Sequence, residues 1–578
     1  MKNRWDGLKS EIDRREFLKT LGAAGVAAVS GLGLSALPNE AGAALSPDRK
    51  VKLTYYFYAA SYNPTDYEIC MDLVENMRAV GVDVNPQPRP DWVSLFSSMD
   101  EPWNFDMATG GYGGTPPRLD PDVLLYGTLS AKVADKAKSY NVMGYKSKEV
   151  TDLLEQQRAT LDLDQRRNLW FKIQELVGQD LPMFPLVHYK DIWVYNKQKF
   201  KGYEFMIGAG THNIFSLTRV EPLTSDKTLI GAYKEAITHV NPMNITSMTD
   251  FAFVWWLIYD PLMHVGLDAK PVNWLATDVQ TVDNRTTVVT IRKNQKFHDG
   301  APLTAEDVKF TYEYHLKWKV PQIYPFVDPI ASIEKLDDYR VKFNFKYPYA
   351  IQKTATFTLV GILPKHDWEK ALEKENLKHP AERKNLPPIG SGPFQFVQLE
   401  PREQLVVKRN PNHWAAPKIE RYVEVFYKGQ DAITTSLVAG EAHFNWGYGL
   451  TPADLPKVEG RNHLGLAVLP AQRLNWVALN LRRLPCSDLR FRQAFSHLFN
   501  HNHYVRDIYK GYGEPAASLV PPGVAFWSDP KKPLYHDFSV EKARQILKKA
   551  GYEWDEKGQL YYPERIPKET TMVTTVLK

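Results

Sequence analysis

The side chains that could carry chemistry in this sequence are scattered rather than assembled. His501-Asn502-His503 places two imidazoles close together, but H-E-x-x-H is absent and no third ligand completes such a motif. In their helix-rich context these two histidines read as surface or capping residues. Gly390-Ser391-Gly392 is not the G-x-S-x-G of a nucleophile elbow and reads as a turn. Gly208-Ala209-Gly210 lacks the third glycine of a dinucleotide loop. The carboxylate pairs Glu306-Asp307 and Asp337-Asp338 are adjacent in sequence, so they point apart and read as solvated faces. No catalytic constellation emerges, and neither a cofactor nor a metal is expected. What remains is binding chemistry, carried by aromatic and amide side chains: the chain holds 15 Trp and 30 Tyr. Buried aromatic area with a few placed polar groups is how a cleft holds a solute.

The elements that must position such groups are legible in places. Thr286–Arg292 is β-branched and reads as a strand. Asp299-Gly300 is a turn dipeptide, because glycine accepts the positive φ that such turns use. Thr304 stands three residues before Asp307 in a capping-box arrangement, and Val308, Thr311, Tyr312 and His315 follow at helical spacing. Nearer the amino terminus, Val51–Tyr58 reads as a strand, Tyr67–Val80 as a helix ending at Gly81, and Val82–Val84 as the start of a second strand. Asn141–Ala159 and Asp164–Asp180 read as charged amphipathic helices, with Pro182–Pro185 breaking the second and Leu186–Asn196 returning as a strand. At 578 residues the chain is too long for one core, so two or three lobes are expected. A net charge of +5 without a basic block points away from nucleic acid. Cys70 and Cys486 make neither a disulfide framework nor a zinc site, and a single bond between them is left open.

Several runs carry a resemblance. Phe297–Val308 (FHDGAPLTAEDV) resembles the signature of the family 5 solute-binding proteins of ABC importers, the dipeptide, oligopeptide, nickel and oligosaccharide receptors. Ile389–Phe394, Lys408–Trp414, Leu437–Phe444, Pro485–Phe495 and Ala550-Gly551-Tyr552 resemble later segments of that family in the usual order. Phe105–Leu125, Asn141–Ala159, Asp164–Asp180 and Lys201-Gly202-Tyr203 resemble its carboxyl-terminal third, yet they come first. The expected fold is therefore an α/β, two-lobed periplasmic-binding-protein-like architecture with an extra subdomain, circularly permuted. Its ends near Val51 and Tyr562 would meet inside one lobe. The second lobe would comprise 51–190 and 473–578, and the first lobe 195–470 with a subdomain near 268–414. Hinges would fall near Ile192–Tyr195 and Leu469–Arg473. Asp13-Arg14-Arg15-Glu16-Phe17-Leu18-Lys19 resembles a twin-arginine export motif, followed by a weakly apolar segment too short to span a bilayer convincingly and by Ala41-Gly42-Ala43 as a cleavage pattern. Residues 1–43 would be the signal peptide, removed to leave a soluble protein in the periplasm.

The resemblance implies a receptor that captures a peptide-like or oligosaccharide-like solute and delivers it to an ABC permease. It would meet the twin-arginine translocase during export, act as a monomer and carry no enzymatic activity. An exported hydrolase is the alternative. Peptide receptors of the family carry W-x-A-D-Y-x-D-P where this chain has Tyr112, Gly113, Gly114, Thr115, two prolines and then Asp120-Pro121. Tyr112 keeps the aromatic place, Thr115 cannot supply the charge, and Asp120 keeps the structural place before proline. That departure puts recognition of a ligand α-ammonium in doubt unless an Asp elsewhere has taken over. Trp446 and Tyr448, after a strand that should end at the cleft, are further ligand-binding candidates. So are Trp476, where the chain enters the second lobe, and Trp256 near the mouth of the first.

Overall fold

The computed structural model describes residues 45–100, 103–112, 116–137, 139–234, 237–245, 257–446, 449–470, 473–531, 534 and 536–567. The export-signal reading at 1–43 lies outside them. No helix among the described residues is long and apolar enough to cross a membrane.

The chain opens with β1 (Lys52–Tyr58), α1 (Pro64–Ala79), β2 (Asp83–Arg89), α2 (Trp92–Met99) and β3 (Met107–Tyr112). Helices α3 (Pro121–Leu129), α4 (Lys148–Ala159) and α5 (Leu163–Asp180) follow, then β4 (Met183–Pro185) and the long β5 (Val187–Asn196). Asn63 caps α1 by accepting from the Asp66 amide, and Pro64 occupies the first helical position, where its missing N–H costs nothing. The expected helix from Asn141 starts only at Lys148. Asn141 instead folds a buried turn, donating to the Ser130 and Tyr145 carbonyls and accepting from the Tyr145 amide, and Ser147 is the cap. Asn competes with helix in this way whenever its amide finds local backbone partners. The Pro182–Pro185 break also serves as β4, because Leu181 turns the chain with a φ of 49° at the end of α5.

Beyond β5 come β6 (Thr228–Tyr233), β7 (Ala276–Asp283), β8 (Thr286–Ile291), α6 (Ala305–Trp318), β9 (Ile330–Lys335) and β10 (Arg340–Phe345). Then follow β11 (Phe394–Glu400), β12 (Gln404–Arg409), β13 (Arg421–Phe426), α7 (Gln430–Ala439), β14 (Phe444–Asn445) and β15 (Leu464–Pro470). The chain closes with β16 (Leu474–Leu479), α8 (Leu489–Phe495), β17 (Gly513–Pro515) and α9 (Val540–Lys549). The capping box at Thr304 forms as the sequence indicates, with Thr304 Oγ1 accepting from the Glu306 amide and Asp307 accepting from the Thr304 amide. Val308, Thr311, Tyr312 and His315 all face inward. Gly300 takes a φ of 92° in the preceding turn. Of the acidic pair on α6, Asp307 is buried by its capping role rather than solvated, while Glu306 pairs with Lys365 at 2.7 Å.

Three sheets organise the molecule. The second lobe has the order β2-β1-β3-β16-β4, drawing strands from both ends of the chain. The first lobe runs β11-β12-β13-β6-β14-β5-β15, and β7-β8-β10-β9 forms the subdomain sheet. Each lobe has its own apolar core, one centred on β1, β3 and β16 and the other on β6, β13 and the subdomain. β5 belongs to both lobes: residues 187–189 pair with β17, and residues 190–196 pair with β15. At the outer end of the second lobe the two ends of the folded chain meet. The Val51 amide donates to the Leu560 carbonyl at 2.9 Å, and the Tyr562 amide to Arg49 at 2.7 Å.

Candidate functional site

Strand direction fixes where a cleft can form. β1 and β3 are parallel and β16 is antiparallel to β3, so the ends of β1 and β3 and the start of β16 share one edge. In the first lobe β6 runs parallel to both β13 and β14, gathering their carboxyl ends at Tyr233, Phe426 and Asn445. Ligands of open α/β sheets bind outside such carboxyl ends. Here the two edges face each other: Lys234 Nζ, just past β6, reaches the Tyr62 carbonyl at 3.4 Å and lies 5.0 Å from that ring's centroid. Tyr62 is in the loop between β1 and α1, so this contact joins the lobes at their strand ends.

Behind that contact, at the crossing, lies a buried polar cluster. Asp66, in the first turn of α1, accepts from Asn475 Nδ2 on both carboxylate oxygens, at 2.8 and 2.9 Å. Asn63 Nδ2 adds 2.7 Å and the Tyr509 hydroxyl 3.4 Å. Burial pushes the Asp66 carboxyl up to about 6, against the opposing pull of these hydrogen bonds and of the Arg473 charge. Tyr509 stacks on Tyr189 of β5, with centroids 5.3 Å apart and planes within 11°. Arg473 pairs with Asp191 at 3.2 Å, and both side chains are buried. Burial raises the Asp191 carboxyl and the guanidinium opposes it. Since β5 and the β15–β16 segment both pass between lobes here, Arg473–Asp191 clamps the crossing itself. Along β5 the pairing partner changes from β17, through Tyr189, to β15, from Lys190 onward.

The sequence candidates are distributed around this cluster. Tyr112 ends β3 with its backbone opposite Leu474, but its side chain, Thr115, Tyr448 and Trp256 lie outside the described residues. Trp446 follows β14 at the first-lobe edge and is buried, packed at 4.2 Å from His212 and 4.1 Å from Tyr233. Beneath it Tyr422 donates to Glu424, whose carboxyl burial holds well above its ordinary value, while burial lowers His212 to about 3. These groups support Trp446 from inside the lobe. Trp476 is fully buried in the second-lobe core, its ring so close over Gly110 that a Cβ there would stand 2.8 Å away. Asp120 caps α3 and forms a two-pronged pair with Arg166 at 2.6 and 2.7 Å, while Thr354 of the first lobe donates to it at 2.9 Å. It is therefore a structural carboxylate that also ties the lobes together. His501 is buried on the Leu186 carbonyl at 2.8 Å, and His503 pairs with Asp507 at 2.7 Å. Cys70 and Cys486 are separate buried thiols. Among the described residues no group of His, Cys, Asp or Glu is arranged to hold a metal.

Sequence reasoning singled out Trp476 and missed its neighbour Asn475, together with Asp66, Lys234 and Tyr509, as parts of one site. The available signal was Asn63-Pro64-Thr65-Asp66, a cap immediately after a strand, which puts a helix start and an acid at a strand's carboxyl end.

Residues 270–576, just over half of the chain, match the model of the bacterial extracellular solute-binding proteins, family 5 Middle. The dipeptide-binding protein of Escherichia coli is 24% identical over 359 residues, covering 57% of this chain and 64% of its own. The glutathione-binding protein of Salmonella choleraesuis is 25% identical over 340 residues, covering 57% and 63%. The crystal structure of an ABC transporter substrate-binding protein from Listeria monocytogenes superposes with a TM-score of 0.50 at 25% identity, covering 57% of this chain and 66% of that one. The chain thus spans less than two thirds of the length of the curated relatives it matches.

Proposed function

The chain belongs to family 5 of the bacterial extracellular solute-binding proteins, and from that premise we propose that it is the solute-capturing receptor of an ABC importer. The observation that carries this reading is the facing pair of strand-end edges, bridged by Lys234 and Tyr62 and hung on the crossing of β5 with β15–β16. Such a crossing lets two rigid lobes rotate while their cores stay intact, which is hinge closure. Closing removes aromatic surface such as that of the half-buried Tyr62 from water and leaves the solute's polar groups to be met by buried partners. Binding rather than bond-breaking is the output we propose: at the crossing Asp66 is held by Asn475 and Asn63, and Asp191 by Arg473. The solute is peptide-like or oligosaccharide-like, the former supported by the dipeptide- and glutathione-binding relatives. Docking on permease subunits would follow closure, with the protein exported through the twin-arginine route, cleaved near Ala43 and monomeric in the periplasm.

The same reading includes a circular permutation. Segments 51–190 and 473–578 build one sheet although they lie at opposite ends of the chain, and the Arg49–Val51 and Leu560–Tyr562 backbones are hydrogen-bonded neighbours. Permutation is cheap where termini are adjacent and at the surface. A family match confined to 270–576 is what a sequence-ordered comparison would recover from such a chain.

The test is to purify the protein from its own periplasm, identify any bound mass, and record thermal midpoints with di- and tripeptides and with β-linked oligosaccharides. A bound solute raises the midpoint by mass action. Turnover of any of these compounds would instead support the exported hydrolase and sink the receptor reading.

A further inference from the structure

We propose that the start of α3 and the end of α4 form a releasable latch on residues 349–357 of the first lobe. The latch is separate from the crossing and sets how long the lobes stay together; it deepens the receptor reading and rests on it. α3 straddles the two cores. Leu124, Leu125 and Leu129 pack inside the second lobe, whereas Val123 lies against the first-lobe core. On the facing side Tyr349, Ile351, Ala355 and Phe357 are fully buried in the first lobe and anchor their segment there.

Two hydrogen bonds cross between these surfaces. Thr354 Oγ1 donates to Asp120 Oδ2 at 2.9 Å, and the Ala350 amide donates to the Arg158 carbonyl at 2.7 Å. Arg158 stands in the last turn of α4, where a helix leaves carbonyls without intrahelical partners, so the first lobe completes the helix end. Burial opposes the charge of Asp120, but the Arg166 guanidinium holds its carboxyl below the ordinary value, so it accepts as a carboxylate. A hydroxyl donating to a carboxylate is a charge-assisted bond, stronger than a neutral one.

Both halves of this contact stay satisfied when it opens, which separates a latch from a permanent joint. Asp120 keeps its two Arg166 bonds, at 2.6 and 2.7 Å, and the Asp122 amide at 3.1 Å. Thr354 Oγ1 can turn to the Ile351 carbonyl, already 3.3 Å away within its own segment. Val123 and Thr354 are only half-buried, so water reaches the seam as the lobes part. Opening strands neither Asp120 nor Thr354, and the two states can lie close in free energy. Asp120 and Thr354 are positioning residues: they stabilise the closed arrangement alone and so slow the escape of whatever the cleft holds.

The test puts spin labels on Gln156→Cys of α4 and Gln280→Cys of β7, both exposed and one in each lobe, while the native thiols Cys70 and Cys486 are fully buried. Pulsed dipolar spectroscopy on the solute-free protein should resolve a short and a long distance. Thr354→Val keeps the shape of the side chain and removes the hydroxyl, and it is expected to lower the short-to-long ratio about tenfold. Thr354→Ser should keep the ratio near wild type. Val123→Ala, on the opposite surface, should shift it in the direction of Thr354→Val, so the outcome does not hang on one variant folding. Equal distributions in wild type and Thr354→Val overturn the latch, whether both are short, long or mixed. This readout needs no solute, so that failure leaves the receptor reading standing. Calorimetry with di- and tripeptides and β-linked oligosaccharides then separates the two. Each compound that binds the wild type should bind Thr354→Val more weakly by one common factor; a factor that changes with the compound would make Thr354 a solute contact and overturn the latch. If none binds and the protein purified from its own periplasm carries no solute, the receptor reading falls and the latch loses its role with it.

Discussion

Replacing Arg473 by Met removes the charge at the lobe crossing while keeping much of the stem's volume. In the wild type the guanidinium is 3.2 Å from Asp191 Oδ1, with side chains only 9% and 3% exposed. The other Asp191 oxygen has no partner among the described residues, so Arg473 alone offsets its burial. Breaking a buried pair by removing one member costs about 3–5 kcal/mol, because the remaining charge is left uncompensated. Arg473→Met is therefore expected to lose about that much, and Arg473→Met combined with Asp191→Asn to recover most of it. The pH dependence follows from the sign of the Asp191 shift. Burial already raises that carboxyl, and Arg473 pulls it down. Without Arg473 it rises further, and a raised carboxyl contributes stability that is present at low pH and lost as pH rises through its folded value. The Arg473→Met deficit should therefore be largest near neutrality and shrink on acidification. Urea unfolding followed by tryptophan fluorescence, on the four proteins of the cycle at two pH values, reads this directly. A loss below about 1 kcal/mol, or a double variant equal to the sum of the singles, would refute the clamp at the crossing.

Three further outcomes are expected. The Asp66 anion is disfavoured by burial that moves its carboxyl from 3.8 to about 6, about 3 kcal/mol against folding at neutral pH. That penalty is absent below the unfolded value and complete above about 6, so the stability of Asp66→Asn relative to wild type should rise across that window in denaturant titrations; parallel curves would count against it. Gly110→Ala should lose about 1–3 kcal/mol in the same assay, because its Cβ would meet the Trp476 ring at 2.8 Å; a neutral result would mean that the ring moves freely. Thr304→Ala should cost about 1 kcal/mol through the α6 cap without changing any solute affinity, and an altered affinity would place α6 nearer the ligand than its position implies.

The sequence was most readable where one residue type had one physical use. Asp299-Gly300, the Thr304–Asp307 cap and the inward stripe on α6 are local devices, and all three form as their spacing indicates. Asn141 misled because a helical pattern and a side-chain turn compete for the same residues, and the amide found the Ser130 and Tyr145 carbonyls. The site was harder to see. Asp66 reads as an ordinary acid in a helix's first turn, and only the antiparallel placement of β16 beside β3 brings Asn475 to it from 409 residues away. Aromatic type likewise says nothing of depth: Trp446 rests on His212 and Tyr233, and Trp476 fills the space above Gly110. Each of those environments is made by residues distant in sequence.

The central claim is that the two strand-end edges close on a solute. Glu68 on α1 and Thr238 beyond β6 are exposed, one on each side of the Lys234–Tyr62 contact, while Cys70 and Cys486 are fully buried. Spin labels on Glu68→Cys and Thr238→Cys therefore report the distance across the cleft without labelling the native thiols. Pulsed dipolar spectroscopy on protein stripped of its solute, then saturated with the solute recovered from the native preparation, should show the distribution shift to shorter distances and narrow. A distribution that stays the same at saturation would contradict the account.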